Sequence, residues 1–237
     1  MLSKIWLRNV CRNNQFEISD ANLDLLERYA NQLIAWNSKV NLISRRDIDN
    51  IWHRHIISSI SFLFKFQFES PARILDLGTG GGLPGIPIAI LQPALHVTLL
   101  DSIQKKVHAV RNILDHLSLQ NVSIVAGRAE QICHREEFQA SFDYVIARAV
   151  ATIDDIITWA VPFLKRKSSN TSSLQSDDQT RIIPRGSILM LKGGELTREI
   201  SRAQKAFPDV KIFSYPILVE GVEPNLLPDK KIIIAFP

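Results

Sequence analysis

The chain has 237 residues, of which 46% are hydrophobic and 22% charged, a balance typical of a globular protein with a sizeable core. Its net charge of +4 suits a polyanionic partner without requiring one. The two cysteines, Cys11 and Cys133, exclude a disulfide framework and a cysteine zinc site, which indicates a reducing compartment. No stretch approaches the roughly 20 apolar residues of a membrane span. We therefore expect a cytoplasmic protein that uses neither a membrane nor a metal.

The first third of the sequence is predicted to be helical. Apolar residues recur at helical spacing after a capping residue at Ser19 or Asp20. They are Leu23, Leu26, Ala30, Leu33 and Trp36. Asp47 caps a second predicted helix, which carries His55 on its apolar side. No strand pattern appears in this part, so residues 1–70 are predicted to form an N-terminal helical extension.

From residue 72 onward, strand patterns alternate with helix patterns. The runs that read as strands are ARILDLG, HVTLLD, NVSIVAG, FDYVIAR, GSILMLKGG, VKIFSYPIL and KKIIIAF. The alternation predicts an α/β fold with a seven-stranded, mostly parallel sheet over residues 71–237. No helix pattern separates the last two strands, so the final strand is allowed to be antiparallel. Segment 165–185, rich in Ser, Thr and Asp, is predicted to be a flexible surface insertion.

Four glycines fall within five positions of the run DLGTGGGLPGIP, directly after the first predicted strand. Glycine at Gly78 and Gly80 lets a ligand approach the backbone, and the following helix offers unpaired N–H groups. Residues 80–85 formally satisfy the dinucleotide pattern G-x-G-x-x-G. The motif alone therefore leaves two ligand classes open, a dinucleotide and S-adenosylmethionine.

Acidic residues follow the first three predicted strands, at Asp76, Asp101 and Glu130. Because the carboxyl ends of parallel strands meet at one edge of a sheet, we expect these carboxylates to form a row. Asp76 would repel a diphosphate but attract the ammonium and sulfonium groups of S-adenosylmethionine. Asp101 suits a ribose, and Glu130 suits the amino group of an adenine. The residue types therefore favour S-adenosylmethionine as the cofactor.

Further motifs occur in a fixed order along the chain, namely WNSKVNLIS, RHIISS, DLGTGGGLPGIP, RAE, ARAVA and LKGG. In this order they resemble the glucose-inhibited division protein B family, guanine-N7 methyltransferases of small-subunit ribosomal RNA that use S-adenosylmethionine. The resemblance implies a Rossmann-like class I methyltransferase fold. It implies a substrate in 16S ribosomal RNA or the small ribosomal subunit. It also implies cofactor contacts from Gly78, Leu83, Ala129, Glu130 and Arg148.

Two positions depart from the family's pattern: Gly81 stands where a proline is usual, and Ser58 stands where an acid is usual. Guanine N7 carries a lone pair and no proton, so its methylation requires alignment rather than a general base. No catalytic residue is therefore assigned. His55 and Lys192 are candidates for contacting the guanine.

The residues alone do not exclude three other functions. They are an NAD(P)-dependent oxidoreductase, a methyltransferase acting on a small metabolite, and a non-catalytic RNA-binding module. An oxidoreductase would need a hydride-transfer partner in the second half of the chain, and the sequence offers no obvious one. If the protein is an RNA methyltransferase, the hypothesis that we favour, we expect a monomer whose basic clusters contact RNA phosphates.

Overall fold

The computed structural model describes residues 4–165, 181–223, 226–227 and 229–237. These residues form nine strands: β1 (Phe66–Phe68), β2 (Ala72–Leu77), β3 (Leu95–Asp101), β4 (Val122–Ala126), β5 (Tyr144–Arg148), β6 (Arg181–Ile183), β7 (Ser187–Gly193), β8 (Lys211–Pro216) and β9 (Lys230–Phe236). Seven of them make one sheet in the order β4-β3-β2-β5-β7-β9-β8. β9 is antiparallel to β7 and β8, whereas the other pairs of this sheet are parallel. The predicted α/β fold with a seven-stranded, mostly parallel sheet is confirmed, and the final strand, whose direction the sequence left open, is antiparallel.

The α-helices of the described residues are α1 (Lys4–Asn13), α2 (Asp20–Asn37), α3 (Ser58–Ile60), α4 (Gly85–Leu91), α5 (Gln104–Leu117), α6 (Ala129–Ile132), α7 (Ile153–Ala160) and α8 (Thr197–Ala206). Helix α2 begins at its predicted cap, where the Ser19 hydroxyl accepts a hydrogen bond from the backbone N–H of Asn22 at 3.1 Å. No helix in the ranges given above is both long and apolar enough to cross a bilayer.

The helix predicted from Asp47 is not a regular α-helix. The chain forms a 3-10 turn at Arg45–Asn50 and then a π turn at Trp52–Ile57, which leads into α3. Arg148 donates hydrogen bonds to two carbonyls within this segment. These bonds satisfy two carbonyls of the wider π turn. The spacing of apolar residues in the sequence does not reveal such bonds.

Each face of the large sheet carries its own hydrophobic cluster, because alternate residues of a strand point to opposite sides. Ile74 and Tyr144 belong to one cluster, and the adjacent Leu75 and Val145 belong to the other. The first cluster continues into α1 and α2 through leucines that are fully buried. They are Leu7, Leu23, Leu26 and Leu33. The N-terminal helices therefore share a core with the sheet.

Both ends of the predicted insertion meet one buried carboxylate. Asp143 Oδ1 lies 2.9 Å from Lys165 Nζ and 2.7 Å from Arg185 Nη1, and its Oδ2 accepts the Arg73 N–H. Burial raises the pKa of Asp143, but these three hydrogen bonds outweigh it and leave the pKa below its ordinary value. Residues 166–180, most of the insertion, lie outside the described residues. The part at 181–183 is β6, which pairs with β1. Both strands correct the prediction, because residues 1–70 are predicted to be helical and segment 165–185 to be a flexible insertion.

Candidate functional site

A pocket opens at the carboxyl ends of β2, β3 and β4. Its walls are Leu77, Gly78, Leu100, Asp101, Ser102, Gly127, Arg128, Ala129, Glu130, Val150 and Trp159. Four of the predicted site residues therefore lie together on these walls, namely Gly78, Asp101, Ala129 and Glu130. The other four predicted cofactor residues, Asp76, Gly80, Leu83 and Arg148, are not on the pocket walls.

The loop after β2 approaches its surroundings so closely at Gly78 that only glycine fits. Gly78 has a φ of +69°, and a Cβ placed on it would lie 2.7 Å from both γ-carbons of Val150. The N–H groups of Gly78 and Thr79 both donate to the carbonyl of Leu100, at 2.8 and 3.0 Å. The start of the loop is thereby fixed to the end of β3, with its backbone on the pocket wall.

Asp76 lies under this loop and does not face the pocket, contrary to the sequence-based expectation of direct contact with a ligand. Its side chain is fully buried. Oδ2 accepts hydrogen bonds from the Thr79 hydroxyl at 2.6 Å and from the Gly85 N–H at 2.8 Å, while Oδ1 has no partner among the described residues. Burial raises the pKa of Asp76 to about 7. Asp76 thus holds the glycine loop from the inside.

The same contact bears on the choice between ligand classes. In a dinucleotide site the diphosphate lies against the N–H groups at the start of the helix that follows the glycines. Here the N–H of Gly85, the first residue of α4, is bound to the Asp76 carboxyl. The Gly85 N–H is therefore not available to a diphosphate.

Asp101 is held at the pocket wall by two backbone groups. Its Oδ2 accepts the Gly80 N–H at 2.9 Å and its Oδ1 accepts the Ile103 N–H at 2.8 Å. Glu130, in the first turn of α6, is exposed at the other side of the pocket beside Ala129. Two of the three acids in the predicted row are therefore available to a ligand.

Two residues of the N-terminal helix α2 also contact the glycine loop. The buried hydroxyl of Tyr29 donates to the carbonyl of Gly81 at 2.9 Å. A Cβ placed on Gly81 would lie 2.7 Å from Leu33 Cδ1, so the leucine side chain fills the space where the family's usual proline would project. The departure at Gly81 is thus accommodated by packing within this chain.

Arg148, at the end of β5, binds the segment around the π turn and no carboxylate of the described residues. Nη1 donates to the His55 carbonyl at 3.2 Å and to the Ser59 hydroxyl at 3.0 Å, and Nη2 donates to the Arg54 carbonyl at 3.0 Å. Nη2 also lies 2.6 Å from His55 Nδ1. Burial lowers the pKa of Arg148. Ser58, the other departure from the family's pattern, is buried within the same segment.

The two candidates for contacting a guanine are both engaged elsewhere. His55 Nδ1 accepts from Arg148, so a neutral ring carries its proton on Nε2, and burial followed by the charge of Arg148 lowers the pKa of His55 to about 4. Lys192 Nζ lies 2.6 Å from the Ala151 carbonyl and 2.6 Å from Glu199 Oε1. Lys192 therefore supports the loop after β5.

Sequence reasoning missed Tyr29, Val150 and Trp159. Trp159 lies on α7 and is part of the pocket wall. An aromatic residue on a helix is usually interpreted as a core residue, and no local sequence signal distinguishes Trp159 from one. Among the described residues, no group of three or more His, Cys, Asp or Glu is placed to hold a metal ion.

The chain matches the family described as rRNA small subunit methyltransferase G over residues 22–218. It is 34% identical over 198 residues to the Ribosomal RNA small subunit methyltransferase G of Flavobacterium johnsoniae, covering 84% of this chain and 83% of that protein. The protein of the same name from Parabacteroides distasonis is 36% identical over 196 residues, covering 79% of this chain and 77% of that one.

Solved structures show the same fold at low sequence identity. A SAM-dependent methyltransferase from Aquifex aeolicus superposes with a TM-score of 0.54 at 11% identity, covering 84% of this chain and 96% of that one. The likeness confirms the predicted class I methyltransferase fold. The family match runs from α2 to the end of β8 and spans every predicted site residue. The chain therefore belongs to the rRNA small subunit methyltransferase G (GidB) family.

Proposed function

We propose that this protein transfers a methyl group from S-adenosylmethionine to N7 of a guanine in 16S ribosomal RNA. The observation that carries the proposal is the buried Asp76 bound to Gly85 beneath a glycine loop, beside a pocket with two further acids. The two pocket acids, Asp101 and Glu130, disfavour a diphosphate and suit a cationic adenosine, and Asp76 withholds the Gly85 N–H from a phosphate. The family membership supports the ribosomal RNA substrate.

The pocket residues fit S-adenosylmethionine by their chemistry. Asp101 would accept hydrogen bonds from the ribose hydroxyls, and Glu130 would accept one from the adenine amino group while Ala129 offers its N–H. Gly78 would let the methionine end approach the backbone. When bound, the cofactor supplies an electrophilic methyl group on a cationic sulfur.

The four predicted residues that are not on the pocket wall are proposed to act on this cofactor indirectly, through the glycine loop or the π turn. Asp76 fixes the loop to α4, and Gly80 donates to Asp101, which orients that carboxylate. Leu83 is buried within the same loop. Arg148 fixes the π turn beside β5. We propose that these four residues preorganise the pocket for cofactor binding.

The reaction needs alignment more than proton transfer. Guanine N7 presents a lone pair in the plane of the ring, so the enzyme's task is to hold it in line with the methyl group. His55 Nδ1 is already bound to Arg148, and Lys192 is bound to Glu199, which agrees with a reaction in which neither residue removes a proton. N7 faces the deep, narrow major groove of A-form RNA, so the target guanine must be in a loop or be turned out of its helix.

The remaining expectations are part of the same proposal. The protein acts as a monomer in the cytoplasm, where it meets either free 16S ribosomal RNA or the assembled small subunit. Attack by N7 on a methyl sulfonium needs no metal. A small-metabolite methyltransferase would need an enclosed acceptor pocket and would show little dependence on salt.

The test combines the purified protein, labelled S-adenosylmethionine and 16S ribosomal RNA. After digestion, mass spectrometry should find new N7-methylguanosine, and parallel reactions with free RNA and with small subunits identify the preferred substrate. Calorimetry should detect S-adenosylhomocysteine binding and no comparable NADH binding. Methylation at another atom, absence of transfer to both substrates, or tight NADH binding would overturn the proposal.

A further inference from the structure

Charge divides the carboxyl edge of the sheet into two halves. In spatial order β4, β3 and β2 are followed by β5, β7 and β9. The acidic half consists of the residues at or just after the ends of the first three strands, Glu130, Asp101 and Asp76. The basic half consists of the residues at the same edge of the other three strands, Arg148, Lys192 and Lys230. The pocket lies in the acidic half.

Lys230 is the cation of the basic half that remains available. Arg148 is committed to the π turn, and Lys192 is committed to Glu199 and Ala151. Lys230 is half-buried at the start of β9, and within the described ranges its Nζ has no hydrogen-bond or ion-pair partner. Burial, and then the neighbouring charge of Arg148, lower the pKa of Lys230.

The strand beside Lys230 leaves room for an anion. Lys230 stands opposite Gly193 in the antiparallel pairing, and a Cβ on Gly193 would lie 3.4 Å from Lys230 Nζ. At the next residue, Gly194, a Cβ would have no heavy atom within 4 Å among the described residues. Because residue 193 is a glycine, the strand opposite Lys230 places no side chain against the ammonium group.

The charges near Lys230 are unbalanced. Asp47 is the acid that favours its charged form, whereas Arg148 and Arg54 oppose it. That same Asp47 is bound to Arg54, with Oδ1 2.7 Å from Nη1, and Arg54 is 46% exposed. A half-buried cation without a bonded anion is unfavourable by itself and is stabilised when an anionic ligand binds.

We propose that Lys230 and Arg54 form a binding site for a backbone phosphate of the RNA substrate, next to the guanosine to be methylated. The inference rests on the proposed function. The basic half adjoins the acidic half along one sheet edge, so a strand bound there brings its neighbouring base toward the pocket. Arg54 uses Nη1 to bind Asp47, and its other guanidinium nitrogens have no partner among the described residues. Together with the point charge of Lys230, these remaining donors suit a phosphodiester.

The test measures binding of a 16S ribosomal RNA transcript to the wild type and to Lys230→Gln across a salt series, with S-adenosylhomocysteine present. One lost phosphate contact lowers the slope of log affinity against log salt by about 0.7 on single-stranded RNA. Between 50 and 200 mM salt the wild type should therefore lose about 2.6-fold more affinity than the variant. Lys230→Arg should retain the wild-type slope.

Lys211→Gln is the matched control, because Lys211 is an exposed lysine on β8 at the opposite edge of the sheet. It should behave as the wild type. Lys230→Gln should raise KM for RNA, leave kcat and S-adenosylhomocysteine affinity unchanged, and not lower the denaturant midpoint. Equal slopes for the two glutamine variants, or a loss of stability or cofactor affinity in Lys230→Gln, would overturn the phosphate site.

The outcome separates the site from the function on which it rests. If the wild type binds the transcript but does not methylate it, the proposed function fails, and the salt slopes still decide the phosphate site. If the wild type methylates RNA and the slopes are equal, the phosphate site alone fails. Absence of RNA binding by the wild type overturns both.

Discussion

The Asp76→Asn variant tests whether the pKa of the carboxyl group beneath the glycine loop is raised in the folded protein. In the folded protein burial raises the pKa of Asp76 from 3.8 to about 7. Hydrogen bonds from Thr79 and Gly85 and the charge of Arg148 lower the pKa, and Asp101 raises it. The native protein therefore keeps a proton that the unfolded chain has already released between about pH 4 and about pH 7.

The direction and size of the pH effect on the free energy of unfolding follow from the linkage between proton binding and folding. Because the native state binds more protons in this window, the free energy of unfolding of the wild type falls as pH rises and levels off above about pH 7. At about 1.4 kcal/mol for each pH unit, the full effect is about 4 kcal/mol, of which about 3 kcal/mol falls above pH 4.5. Asparagine does not titrate, and its carbonyl can still accept the bonds from Thr79 and Gly85.

Urea unfolding of the wild type and the variant from about pH 4.5 to about pH 8.5 measures this effect. Other carboxylates titrate in both proteins, so the difference isolates Asp76. The variant should gain about 3 kcal/mol relative to the wild type across this range. Asp143→Asn is the control, because the pKa of Asp143 is lowered and its difference curve should be nearly flat here. A flat curve for Asp76→Asn, or one of opposite slope, would refute the reasoning.

Three further variants test the loop and its supports. Gly78→Ala forces a Cβ toward Val150 at positive φ, so calorimetry should show about tenfold weaker S-adenosylhomocysteine binding; unchanged affinity would contradict it. Tyr29→Phe leaves the buried Gly81 carbonyl unpaired and should lower the free energy of unfolding by about 1 to 3 kcal/mol, whereas an unchanged urea midpoint would argue against this contact. Arg148→Lys removes the guanidinium fork and should cost about 3 kcal/mol by the same measurement; a loss below about 1 kcal/mol would show that the fork is dispensable.

The fold and half of the site could be predicted because both depend on local patterns. Apolar runs alternating with helical stripes specify a parallel sheet, and such a sheet places the ends of neighbouring strands together. Gly78, Asp101, Ala129 and Glu130 all follow strand ends, and the structure brings them to one pocket. The sequence could not show which way Asp76 turns, because a carboxylate at a strand end is equally compatible with a ligand and with the loop beneath it.

The residues whose roles differ from expectation have distant partners. Arg148 binds groups 89 to 94 positions earlier in the chain, and Lys192 binds a carbonyl 41 positions away. Such pairings depend on how elements pack, and apolar spacing carries no information about them. Trp159 reaches the pocket for the same reason, since α7 is positioned by tertiary contacts with the sheet.

The division of charge along the sheet edge also bears on turnover. Methylation at N7 makes a neutral purine cationic and turns a sulfonium into a neutral thioether. If the cofactor occupies the pocket and an RNA phosphate binds at Lys230, as proposed, one positive charge moves away from Asp101 and Glu130 and toward the basic half of the sheet edge. Both products would then meet a less favourable electrostatic field than the reactants. The proposed binding sites for the two substrates would therefore also weaken product inhibition.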